Sequence, residues 1–98
     1  MRLVGTNLID EFIKAYPDAR SALKRWQKLV METDFKNIAD VRKTFPTADA
    51  VGGKTVFNVG GNKVRAITEI QYGITLVIIT HLLTHADYDR GKWKGHSI

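Results

Sequence analysis

The sequence predicts an α+β domain in which two N-terminal helices pack on an antiparallel β-sheet of three to four strands, ending in a short C-terminal helical turn. Three observations carry this reading. Apolar residues recur at helical spacing in the first half, as in Leu8, Ile9, Phe12 and Ile13. After Pro46 the pattern becomes β-branched and aromatic, as in Lys54-Thr55-Val56-Phe57-Asn58-Val59. Between that run and the next stands Gly60-Gly61-Asn62, residue types that tolerate the positive φ of a tight hairpin. The 98 residues read as one domain spanning 1–98, with no linker, repeat or low-complexity tract.

Arg2-Leu3-Val4 is a short strand candidate. Thr6 or Asn7 is expected to cap the first helix, because their side-chain oxygens accept the free N–H groups of a first turn. Tyr16-Pro17 ends that helix, since the residue before proline is pushed out of the α region, and Pro17 fits the first turn of the next. The second helix runs to about Met31, with Ala22, Leu23, Trp26, Leu29 and Val30 on one face and Arg20, Lys24, Gln27 and Lys28 on the other. Asp34 or Asn37 opens a third, shorter helical segment whose Ile38, Val41 and Phe45 face inward. Past the hairpin, Lys63 to Gln71 returns as a strand, with Val64, Ala66, Thr68 and Ile70 on one face and Lys63, Arg65, Ile67 and Glu69 on the other. Tyr72-Gly73 is a second turn, and Ile74 to Ile79, apolar on both faces, marks a central, covered strand. His85 to Asp89 reads as a turn of helix. The helices must cover one sheet face; the other is expected to be exposed or concave, with Lys63 and Arg65 on it.

Composition narrows the function. With no cysteine there is no disulfide framework, no Cys-based zinc finger and no thiol nucleophile. No apolar run approaches the roughly 20 residues that span a bilayer, and Met1 to Gly5 lacks the apolar region of a secretory signal, so a cytoplasmic protein with no membrane partner is expected. Fifteen Lys and Arg against ten Asp and Glu give a formal charge of +5. The excess is spread along the chain and favours a polyanion, nucleic acid or a ribosome, through counterion release; solubility alone is the other explanation of such a charge. There is no Gly-x-Gly-x-x-Gly and no Walker loop, hence no visible nucleotide cofactor site.

Arg65, in mid-strand between Val64 and Ala66, is either a surface arginine paired with Glu69 or a phosphate clamp, because guanidinium grips phosphate as a bidentate fork. His85, Tyr88 and Asp89 share one face of a helical turn; imidazole gives or takes a proton at neutral pH, while the plainer reading has Tyr88 packed down and His85 and Asp89 in water. His81, His85 and Asp89 have the spacing of metal ligands on a helix, yet Ile78-Ile79-Thr80 reads as strand, so no metal site is expected. Lys92-Trp93-Lys94 either stacks on a base and meets phosphates, or is a loose end whose indole packs on the body.

Taken together, Val56-Phe57-Asn58-Val59-Gly60-Gly61-Asn62-Lys63-Val64-Arg65 and Thr84-His85-Ala86-Asp87-Tyr88-Asp89 resemble the HigB toxin family of the RelE/ParE superfamily. The resemblance implies a RelE-like fold and a type II toxin–antitoxin mRNA interferase. Such a toxin cuts mRNA, commonly on the ribosome, without metal or other cofactor. A HigA-like antitoxin, often a helix-turn-helix DNA-binding protein, neutralises it. Relatives often carry an Arg in the last strand; here that neighbourhood reads Ile79-Thr80-His81, so a phosphate contact is missing or supplied by His81. On this reading Arg65, His85 and Tyr88 are the catalytic residues, and Lys54, Lys63, His81 and Lys92 contact RNA, while Asn62 is a turn residue. Two rivals remain open: a gyrase-poisoning toxin of the same superfamily, and a non-catalytic RNA-binding module.

Overall fold

The computed structural model describes residues 1–61, 63–91 and 93; Asn62, expected in a turn, and Lys92 and Lys94, expected to meet RNA, lie outside the described residues. The chain runs β1 (Arg2–Val4), α1 (Thr6–Ala15), a single 3₁₀ turn (Pro17–Ala19), α2 (Arg20–Glu32), α3 (Ile38–Thr44), β2 (Asp49–Val51), β3 (Lys54–Val59), β4 (Val64–Gln71), a second 3₁₀ turn (Tyr72–Ile74), β5 (Leu76–Thr84) and α4 (His85–Asp89). α1, α2 and α3 pack on one face of a single sheet ordered β1-β5-β4-β3-β2.

That sheet is mixed and five-stranded, larger than the antiparallel sheet of three to four strands expected. β2 to β5 form the antiparallel meander, and β1 lies parallel to β5 with Leu3 opposite Val77. A parallel pair needs a long crossover, and here everything between β1 and β5 supplies it. β2 is too short to display alternation; it joins β3 through Gly52-Gly53, whose φ values of 55° and 81° make the two-residue turn that twists with the strands.

The expected Thr6 or Asn7 cap is not made. Gly5 holds the N-cap position of α1 at φ 93°, with no side-chain cap, and a Cβ there would stand 2.8 Å from the Ile79 carbonyl oxygen. The reversal from β1 into α1 runs so close to β5 that glycine is required. At α3 the cap is Asn37 and not Asp34: Asn37 Oδ1 accepts the Asp40 N–H at 2.9 Å, and Asp40 Oδ2 accepts the Lys36 N–H at 3.0 Å. That backbone donor, aided by Lys43, holds the Asp40 carboxyl below the usual carboxylate range.

Leu23, Trp26 and Val30 of α2 are buried as expected, while Leu29 is exposed. They meet Phe57, Val59, Val64 and Ala66 from the sheet, and Phe57 stands edge-on to both Trp26 and Phe45 at 5.3 and 5.1 Å between centroids. β5 runs past Ile79 to Thr84, further than its apolar run suggested. Ile67 pairs with His81 but Thr68 with Ile79, leaving Thr80 as an extra residue, a β-bulge. The bulge switches the alternation: Val77 and Ile79, then Leu82, face the helices, whereas Leu83 packs on the opposite side. That second face is not bare. Val56, Ile67 and Trp93 are buried there, with Val51, Leu83 and Tyr88 packed around them. Among the described residues no helix is long and apolar enough to cross a membrane.

Candidate active site

Strand alternation turns Arg65 away from the helices, and its cross-strand neighbours are Asn58 on β3 and Leu83 on β5. Arg65 Nη1 donates to Asn58 Oδ1 at 2.7 Å. Arg65 Nη2 lies 3.3 Å from His85 Nδ1. Guanidinium has donors and no lone pair to offer, so Nδ1 must accept. The other ring nitrogen, Nε2, lies 3.6 Å from Asp89 Oδ2. Glu69, the partner first considered for Arg65, is instead held by Lys54 at 2.7 Å.

The bulge and the length of β5 place His85. Thr84 ends the strand and caps α4, its Oγ1 accepting the Asp87 N–H at 3.2 Å, so His85 is the first helical residue and stands beside Arg65. One turn on, the Tyr88 ring lies 5.6 Å from Arg65 Cζ, within cation–π reach. Trp93 stacks on Tyr88 at 5.3 Å and 18° and is only 7% exposed. Of the two readings of Trp93, packing on the body is the one realised; the indole is a support for Tyr88 and is not displayed for a base.

Three residues thus converge: a cation anchored on one side by Asn58, an imidazole whose Nδ1 faces that cation, and a phenol stacked beneath. The His85 side chain is 49% exposed, so the group is open to a ligand. The set suits an anion bound at Arg65 with a proton moved next to it.

The other singled-out residues lie around this centre. His81 is two cross-strand pairs along from Arg65, opposite Ile67, with its Nδ1 3.1 Å from Thr80 Oγ1. Lys63 is exposed just before β4. Lys54 sits at the other end of the strand pair, its charge met by Glu69. His81, on the strand, does not join His85 and Asp89: among the described residues no three His, Asp or Glu side chains come together as metal ligands. Asn58 is the residue that sequence reasoning quoted without giving it a role. Its signal was register, since a hairpin centred on Gly60 to Lys63 puts Asn58 opposite Arg65.

Comparison with known proteins gives a consistent picture. A family model described as HigB_toxin, RelE-like toxic component of a toxin-antitoxin system, matches residues 19–91. The chain is 29% identical to mRNA interferase HigB of Escherichia coli O6:H1 strain CFT073, over 92% of this chain and 90% of that protein. It is 25% identical to mRNA interferase toxin HigB of Escherichia coli K12, over 91% of this chain and 88% of that one. Identity to mRNA interferase HigB of Shigella flexneri is also 25%, with the same coverage.

Proposed function

The chain belongs to the HigB toxin family, the RelE-like toxic components of toxin–antitoxin systems, and we propose that it acts as an endoribonuclease that cleaves mRNA without a metal ion, most effectively on translating ribosomes. The observation that carries the reading is the contact of Arg65 with both Asn58 and His85. The names of the relatives supply the substrate class. A HigA-like, DNA-binding antitoxin is the partner we expect to silence it.

RNA contains its own nucleophile, the 2′-hydroxyl beside each phosphate. Attack by this oxygen forms the 2′-O–P bond and breaks the P–5′-O bond, leaving a 2′,3′-cyclic phosphate and a 5′-hydroxyl. Three things are needed: a cation for the charge on the crowded phosphorane, an acceptor for the 2′-proton and a donor for the leaving oxygen. Arg65 takes the phosphate. A guanidinium drawn onto phosphate oxygens releases His85 Nδ1, which accepts the 2′-proton, and Asp89 faces the imidazolium that results. Tyr88, its ring already engaged by Trp93 and Arg65, offers its hydroxyl to the leaving 5′-oxygen; a phenol is a much better acid than an alcohol. Lys63 and His81 flank the centre and bind the neighbouring backbone, as does Lys92; Lys54 contributes only by exchanging Glu69 for phosphate.

The test is a purified-protein assay on a translated mRNA, with products analysed for their end groups. Cyclic phosphate and 5′-hydroxyl ends that disappear in His85→Ala are expected. Binding of RNA with steep salt dependence and no product would instead make the protein a binding module.

A further inference from the structure

Behind the catalytic trio, on the helix side of the same sheet end, lies a cleft of about 390 Å³ formed by Phe12, Tyr16 and Asp18 on one wall and Lys63, Val64 and Thr84 on the other. Its volume falls in the range of sites that hold small organic groups, roughly 300–1,000 Å³. We propose that this cleft receives a base of the bound RNA, next to the phosphate held at Arg65. The inference rests on the ribonuclease reading given above and adds to it a base-recognition subsite.

Four features carry it. The first is continuity. Val64 and Thr84 are a cross-strand pair, and Arg65 and Leu83 are the next pair, facing the opposite side. The rim of the cleft is thus the strand end that also carries Arg65 and His85, and Thr84 belongs to the cleft while capping the helix that holds His85. A strand of RNA passing over this end has its phosphate at Arg65 on one side and an adjacent base on the other. The second is the aromatic wall. Tyr16 is 46% exposed, unusual for so large an apolar ring, and is propped by Phe12 at 4.7 Å between centroids. A supported, half-open ring is what a base stacks on.

The third is the polar equipment. Lys63 and Asp18 are both exposed, and neither makes an ion pair or hydrogen bond among the described residues. The Lys63 ammonium suits the backbone phosphate as it crosses the rim. The Asp18 carboxylate, an acceptor only, suits a base edge rich in N–H donors, which guanine and, to a lesser extent, cytosine and adenine present. The fourth is contrast with the other side of the sheet. There Tyr88 and Trp93 stack on each other, and Trp93 is only 7% exposed. Among the described residues, Tyr16 is the Phe, Tyr or Trp ring that is exposed.

The experiment is a map of RNA 5′ ends after brief induction of the full chain in bacteria, made for wild type, Tyr16→Phe, Tyr16→Ala and Asp18→Asn. Thermal melting of each purified protein checks that it folds. Wild type and Tyr16→Phe should share a base preference at one position beside the cut. Tyr16→Ala should lose that preference and cut about 5- to 150-fold less, the range expected for one lost base–aromatic stack. Asp18→Asn should keep cutting but change which base is favoured. An unchanged preference in folded Tyr16→Ala overturns the subsite. So does an unchanged map joined to weaker neutralisation by the antitoxin, which would assign the cleft to a protein partner. Absence of cuts even by wild type removes the ribonuclease reading and the subsite with it, an outcome distinct from the other two.

Discussion

The two faces of the sheet hold different kinds of chemistry on the same strands. On β4, Val64 and Ala66 point to the helices and are wholly buried among Leu23, Val30 and Phe57, while Arg65 between them is half-buried and held by hydrogen bonds. The helix face is fixed by area removed from water, which is non-directional and tolerant of one partner being replaced by another of like shape. On the opposite face a smaller apolar cluster, Val56, Ile67 and Trp93, lies beside a group held by pairing: Asn58 to Arg65, Arg65 to His85, Tyr88 to Trp93. The contacts of Arg65 and His85 in that group are directional and partly open to solvent. Stability should therefore belong to one face and activity to the other, and substitutions can separate them.

The largest separation is expected at His85. His85→Ala should lower RNA cleavage by about 10²–10⁴-fold, the worth of positioned acid–base help, with Tm nearly unchanged because the side chain is half exposed. Cleavage kinetics and a melting curve on the same preparation check both halves. On the helix face, Phe57→Ala should cost about 3–5 kcal/mol, since the ring is 1% exposed and edge-packed on Trp26 and Phe45. Denaturant unfolding measures it. Any loss of cleavage there should follow the unfolded fraction and vanish where the variant is folded.

Asn58→Ala removes one of the two hydrogen bonds on Arg65 and should reduce cleavage about tenfold with only a small change in stability. Asn58→Asp, which keeps the acceptor, should retain more activity than Asn58→Ala; equal losses would deny Asn58 a positioning role. Asn37→Ala, far from the site, should cost about 1 kcal/mol through the α3 cap and leave turnover per folded molecule alone.

The smallest effect concerns pH. The Asp40 carboxyl, held down chiefly by the Lys36 N–H, is more acidic folded than unfolded. Its support of α3 is present above the ordinary carboxylate range and lost as pH falls through the lowered folded value. The Tm gap between wild type and Asp40→Asn should close on acidification. A gap that is constant with pH would contradict the assignment.

The helix face was largely legible in the sequence, because burial writes a period: Leu23, Trp26 and Val30 recur at helical spacing, and Val64 and Ala66 at every second residue. What periodicity does not encode was missed. The parallel pairing of β1 with β5 joins residues more than seventy positions apart. Gly5 displaced the expected Thr6 or Asn7 cap because β5 passes directly beneath it, a fact of tertiary approach. The bulge at Thr80 hid the true length of β5, which sets where His85 begins its helix. For the site, Arg65, His85 and Tyr88 were singled out by residue type and by the family resemblance, and the structure brings those three together. Asn58 as the anchor of Arg65, and Lys54 as the partner of Glu69, follow only from hairpin register.

The decisive measurement is a map of mRNA 5′ ends in bacteria after brief induction of the wild-type chain and of His85→Ala, with both proteins shown to melt alike. New ends inside translated regions, present for wild type and absent for His85→Ala, are the predicted result. Growth arrest with intact mRNA and signs of DNA damage, or equal cutting by the folded His85→Ala protein, would contradict the assignment of this face as a ribonuclease centre.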